Sequence, residues 1–124
     1  MDTNEMQQAV VAALEDIKAK DITVLDVKKL TSMCEAMIIA TGDSNRQTKA
    51  LANNVIVKLK ERGATVLGVE GQDSGEWVLV DLGDVVVHIM IPVTREYYNL
   101  EQLWGAAEDR RKKAEGTEGT VTPK

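Results

Sequence analysis

The sequence predicts a single-domain α/β fold, a mixed five-stranded sheet with flanking helices, and three observations carry that prediction. Helix-like and strand-like stretches follow one another in the order helix, strand, strand, helix, strand, strand, strand, helix. A long helix is bracketed by Ser44 and Gly63. Two β-branched, apolar runs, 77–81 and 84–91, are split by Leu82-Gly83, which reads as an antiparallel hairpin. With 124 residues, 44% of them hydrophobic, one domain can bury its core without disulfides or metals.

The first helix is expected from residue 2 or 3 to about residue 20, because Met6, Val10, Ala13, Leu14 and Ile17 step by three and four along one face. Asp2 followed by Glu5 resembles a capping box. A first strand is expected over 22–27, an irregular polar link over 28–33, and a second strand over 35–41 around Met37-Ile38-Ile39-Ala40. Gly42-Asp43 makes the turn. Ser44 with Gln47 forms a second capping box, Gly63 supplies the stop, and Thr48, Leu51, Ala52, Val55, Ile56 and Leu59 form the buried stripe of the helix between them. Arg46, Lys49, Asn53, Lys60 and Arg62 on its other side read as an ordinary solvated face. A third strand is expected over 65–69, parallel to the second through a right-handed crossover if the two share a sheet.

Alternation along the hairpin sorts its side chains into two faces, provided the turn holds two residues. Val78, Val80, Val85, Val87, Ile89 and Ile91 make one uniformly aliphatic face that helices must cover. The other carries Trp77, Leu79, Val86, His88 and Met90, a composition found at recognition surfaces, where a few large rings usually carry the affinity. After Pro92, Tyr97, Leu100, Leu103 and Trp104 fall on one helical stripe and are expected to pack on the sheet. Tyr98 lies off that stripe and is expected to face solvent or a partner. All four aromatic residues and the single histidine lie between Glu70 and Trp104. Beyond Trp104 the chain loses apolar periodicity, so residues 1–104 are expected to form the domain and 105–124 a disordered, charged tail.

Charge narrows the partner classes. Twenty Asp and Glu against fifteen Lys and Arg give a net charge of −5, which on average repels phosphate backbones and disfavours nucleic acid as the main partner. Such a chain suits a basic protein surface. One cysteine, Cys34, cannot form an internal disulfide, no apolar run reaches membrane-spanning length, and the acidic amphipathic start is unlike an export signal. A cytoplasmic protein with no membrane attachment is expected.

Each candidate chemical site in the chain has a plainer explanation. Thr41-Gly42-Asp43-Ser44 meets a helix N-terminus, but it lacks the glycine pattern and lysine of phosphate sites, and Asp43 repels anions. Asp81 and Asp84 could hold Mg²⁺, yet Asp is a turn residue for its own hydrogen-bonding reasons. His88 has no nucleophile or second histidine at a recognisable spacing. No cofactor and no metal are expected.

The residues Asp26, Ile39-Ala40-Thr41-Gly42-Asp43-Ser44-Asn45-Arg46-Gln47, Gly68-Val69-Glu70-Gly71, the hairpin from Glu76 to His88, and Arg95-Glu96-Tyr97-Tyr98 with Leu100-Glu101-Gln102-Leu103-Trp104 resemble the ribosomal silencing factor family, also called Iojap-related. The likeness runs over about residues 5 to 104. It implies a nucleotidyltransferase-like fold and a non-enzymatic regulator that binds ribosomal protein fourteen of the large subunit, blocks union with the small subunit under nutrient limitation, and forms a homodimer when free. Carried across by residue, the ribosome-facing surface is Trp77, Leu79, His88 and Tyr98, with Glu70 and Asp81 as acidic partners for basic side chains. Where relatives usually carry an acidic residue followed by aromatics, this chain has Glu35-Ala36-Met37. Two rivals accompany the reading. One is a large-subunit assembly factor. The other is a nucleotidyltransferase-like enzyme using Asp81 and Asp84, against which stand Gly42-Asp43-Ser44 in place of Gly-Ser and a strand over 65–69 without an acid.

Overall fold

A computed structural model describes residues 1–102. The elements are α1 (Thr3–Asp16), β1 (Lys20–Asp26), β2 (Ala36–Thr41), α2 (Asn45–Glu61), β3 (Gly68–Glu70), β4 (Trp77–Asp81), β5 (Val85–Met90) and α3 (Pro92–Tyr98). They build one five-stranded mixed sheet in the order β1-β2-β5-β4-β3, in which β2 and β5 are the only parallel pair of neighbours among the described residues. The order of elements is the one the sequence predicts. β2 and β3 do share the sheet and run the same way, but β5 and β4 lie between them. The expected 105–124 tail, with Leu103 and Trp104, lies outside the described residues.

The hairpin register sets everything that follows. Leu82 N–H donates to the Val85 carbonyl, leaving Gly83-Asp84 as a two-residue turn, with Gly83 at φ +91°. Val78 then faces Ile89, and Val80 faces Val87. Together with Ala36, Ile38 and Ala40 of β2, these side chains form the inner face, covered by Val10 and Leu14 of α1 and by Leu51, Val55 and Leu59 of α2. All of them are fully buried, which makes this the core. Ile56, counted into the stripe, is only half-buried.

Several boundaries differ from expectation for local reasons. Helix α1 stops at Asp16 rather than near residue 20, because Lys18 turns into the left-handed region at φ 64° and Ala19 N–H returns to the Leu14 carbonyl. A lysine holds the place where glycine would have announced the stop. Lys18→Gly is accordingly expected to raise stability by about 1 kcal/mol, read from urea midpoints, since the left-handed conformation costs an L residue roughly that much. Strand β3 is shorter than 65–69 and shifted to Gly68–Glu70, because its partner strand ends at Asp81 and Gly71, at φ +86°, bends the chain away. The strand therefore carries an acid, Glu70, contrary to expectation.

The cap of α2 is also rearranged. Ser44 Oγ accepts from Gln47 N–H at 3.1 Å, but Gln47 Oε1 accepts from Asp43 N–H at 2.6 Å rather than closing the box on Ser44. Gly42 precedes this cap because a Cβ there would lie 2.8 Å from Thr48 Cγ2. Strand and helix approach too closely for any side chain at that position.

Candidate partner-binding surface

The outer face of the sheet is read off the register as three cross-strand rows. Leu25, Met37, Val86 and Asp81 form the first, and Thr23, Ile39, His88, Leu79 and Glu70 the second. Thr41, Met90 and Trp77 form the third. Leu100, just beyond α3, and Trp77 pack on a small second cluster made by Met37, Ile39 and Met90. Met37 and Ala36 beside it are both buried, so this stretch belongs to the core rather than to an exposed contact. Trp77, Leu79 and Asp81 are half-buried, and Glu70 is exposed.

Four rings run from the sheet interior to solvent. His88 and Trp77 have centroids 5.8 Å apart, Trp77 and Tyr98 4.7 Å, and Tyr98 and Tyr97 4.9 Å in an edge-on pair. Such tilted and edge-on pairs are favourable beyond the area they bury. Exposure rises along the series. His88 is 7% exposed, Tyr98 51% and Tyr97 80%.

The expected role of Tyr97 changes as a result. Tyr97 was expected to pack on the sheet, but the stripe assumed an unbroken helix through residue 104. Asn99 instead takes a left-handed conformation at φ 48° and ends α3 at Tyr98. Its side-chain oxygen then accepts from Gln102 N–H, opening a new helical turn at Leu100. Tyr97 consequently projects outward beside Val93, and Tyr98 is exposed as expected but leans on Trp77. Tyr97 and Val93 are surface residues that the sequence reading missed; the asparagine was the available signal.

His88 needs a second correction. The resemblance placed it on the partner-facing surface, yet its Nδ1 accepts a 2.9 Å hydrogen bond from Trp77 Nε1–H, and the ring is buried. The proton of the neutral imidazole therefore sits on Nε2. Burial pulls the His88 pKa down from 6.5 to about 4, so at neutral pH it brings no charge to the surface. Its contribution is to orient Trp77.

Acidic groups border the rings unevenly. Glu70 pairs across the ladder with Leu79, which lies opposite His88. Asp81 sits at the turn end of β4, about 13 Å from Trp77 at the usual strand rise, and its Oδ1 accepts from Gly83 N–H at 2.9 Å. Asp81 thus serves the turn as well as the rim. Burial, and then the Asp81 charge, push the Cys34 thiol up, which keeps it unreactive. Among the described residues, no group of three or more His, Cys, Asp or Glu side chains is placed to hold a metal ion. No described helix is long and apolar enough to cross a membrane.

A side-chain hub that the sequence did not reveal fixes α3 to the sheet. The guanidinium of Arg95 donates to Thr41 Oγ1 at 2.9 Å, to Thr23 Oγ1 at 3.0 Å and to the Asp21 carbonyl. It also grips Glu101 with two bonds, of 3.0 and 2.7 Å. Thr23 Oγ1 in turn donates to Glu101 at 2.9 Å. The Arg95 bonds hold the Glu101 carboxyl below its ordinary pKa.

Comparison with known proteins gives one consistent picture. A family model described as ribosomal silencing factor during starvation matches residues 1–123. The chain is 62% identical over 105 residues to ribosomal silencing factor RsfS of Chromobacterium violaceum, covering 85% of this chain and 86% of that protein. An X-ray crystal structure of a protein from Chromobacterium violaceum superposes with a TM-score of 0.84 at 62% identity, over 85% of this chain and 88% of that one. A mouse protein named mitochondrial assembly of ribosomal large subunit protein 1 is 35% identical over 98 residues, 77% of this chain but 43% of its own length.

Proposed function

The chain belongs to the ribosomal silencing factor family, and from that premise we propose that it docks its ring-bearing outer face on ribosomal protein fourteen of the large subunit. In doing so it occupies space that the small subunit must enter and represses translation when nutrients are limiting. The action is steric and involves no bond chemistry. One observation carries the reading: Tyr98, half exposed, leans at a tilt on Trp77 beside the outward Tyr97, bordered by Glu70 and Leu79. Rings clustered in this way are the usual hot spots of protein interfaces, and an acidic rim complements a cationic partner.

Tyr98→Ala is expected to weaken large-subunit binding by about 2 kcal/mol, roughly 30-fold, with the fold intact because half of the ring is already in water. Trp77→Ala should cost binding by a similar amount, but here some stability goes too, since the indole packs on Met90 and holds His88. Cosedimentation with purified large subunits reads both, and pelleting equal to wild type would remove the site. The same preparations, mixed with small subunits, test the block to joining.

The reading includes a homodimer in the free state, checked by light scattering on a sizing column, and a cytoplasmic place of action. A second reading, assistance to large-subunit assembly, is favoured by the name of the mouse relative. Preference for immature over mature subunits in the same cosedimentation would select it. An enzyme using Asp81 and Asp84 is the reading against which calorimetric titration with nucleotide and Mg²⁺ is expected to give no saturable heat.

A further inference from the structure

The net charge of −5 conceals a strongly polar distribution. Helix α2 with its capping residue Arg62 bears five basic side chains against a single acid, Glu61, whereas between Glu70 and Glu101 seven carboxylates stand against Arg95 alone. The sheet separates the two. Helix α2 packs on the inner face, so its exposed side points away from the rings. Arg46, Lys49, Asn53 and Lys60 follow one another at helical spacings of three, four and seven, all exposed. From Arg46 to Lys60 the stripe runs about 21 Å at the helical rise. Among the described residues, none of these cations forms an ion pair, although Lys49 Nζ donates to the Asp73 carbonyl at 3.0 Å.

We propose that this stripe is a second docking surface and that it takes the phosphate backbone of RNA. The helix macrodipole favours Lys58, Lys60 and Arg62 near the C-terminus of α2, but it opposes Arg46 in the first turn and like charges on neighbouring turns repel, so the fold's own stability does not account for the whole row. What the row suits is a polyanion. The choice of RNA over an acidic protein follows from what the stripe lacks. Protein interfaces draw their affinity from rings and buried apolar anchors, and this face presents Ala50, Asn53 and a single aliphatic side chain, Val57, between its cations, with no aromatic residue. Phosphate contacts need only cations and amides in a row. Composition alone had disfavoured nucleic acid by averaging over two surfaces of opposite sign. The rings and the stripe lie on opposite sides of the sheet, so protein and RNA can be held together.

The test uses the Arg46→Gln/Lys60→Gln double variant, which spares the Lys49 contact with Asp73, and an RNA duplex of roughly 16 base pairs at about 50 mM salt. Fluorescence anisotropy is expected to show the double variant binding at least about tenfold more weakly than wild type, with the slope of log K against log salt flattened by about 2, and an unchanged melting temperature. Tyr98→Ala should bind the duplex as wild type does, which keeps this readout independent of the ribosomal-protein reading. Wild-type protein that does not bind the duplex, or a double variant with the same affinity and slope, would overturn the proposal. So would a double variant that loses large-subunit binding while keeping its duplex affinity, because the occupant would then be an acidic protein.

Discussion

Arg95→Met is expected to lower folding stability by about 3 kcal/mol, the low end of what removing one partner from a buried ion pair costs. The side chain of Arg95 is 11% exposed and that of Glu101 33%, so the carboxylate is left partly shielded from water without its cation. Thr23 and Thr41 lose a donor, and the Asp21 carbonyl loses its partner at the point where β1 bulges, with Asp21 itself at φ 50°. Methionine keeps the aliphatic length, so the loss reports the guanidinium rather than a cavity. The functional consequence is specific. Arg95 is the polar tie between α3 and strands β1 and β2, and α3 carries Tyr97 and Tyr98. Large-subunit binding is expected to fall together with stability, whereas Tyr98→Ala lowers binding alone. Chemical denaturation beside cosedimentation separates the two, and an Arg95→Met protein as stable as wild type would show the hub to be decorative.

How far the sequence could go follows from which interactions are local. The face assignment of the hairpin was legible because strand periodicity and a two-residue turn leave only one register in which Val78, Val80, Val85, Val87 and Ile89 share a side. The α2 stripe was legible because an N-cap serine and apolar spacing are contained within the helix. What stayed hidden depended on contacts far apart in the chain or on a residue doing another residue's work. Lys18 and Asn99 both adopt left-handed conformations that glycine would have advertised, and each ends a helix earlier than its apolar pattern suggests. The Arg95 hub joins residues more than seventy positions apart, and nothing local marks it. His88 was sorted to the correct face but its exposure stayed open between packed and interfacial, because alternation cannot say that Trp77 on the neighbouring strand will cover it.

Acid is expected to destabilise the protein through His88 before Glu101 responds. The unfolded chain takes up a proton near the ordinary histidine pKa of 6.5, while the folded one resists until about 4, so between those values the unfolded state binds more protons and stability falls with pH. The loss amounts to about 2 kcal/mol by pH 5 and roughly 3 kcal/mol by pH 4, at 1.36 kcal/mol per unit. Glu101 adds to it only at lower pH, because its folded pKa lies below 4.5 and its stabilisation disappears as the pH drops through that depressed value. His88→Gln isolates the effect, since the amide oxygen can still accept from Trp77 Nε1–H but does not titrate. Urea midpoints of the variant should be flat between pH 7 and 5 where those of wild type decline; parallel curves would exclude the imidazole as the source. The neutrality of His88 at pH 7 also matters to the surface above it. A protonated ring in the second row, facing Leu79 and two strands from Glu70, would set a positive charge beneath the rings and oppose a cationic partner. Burial under Trp77 removes that charge, leaving Glu70 and Asp81 to set the sign of the proposed docking face, so large-subunit binding through it should weaken in acid together with the fold.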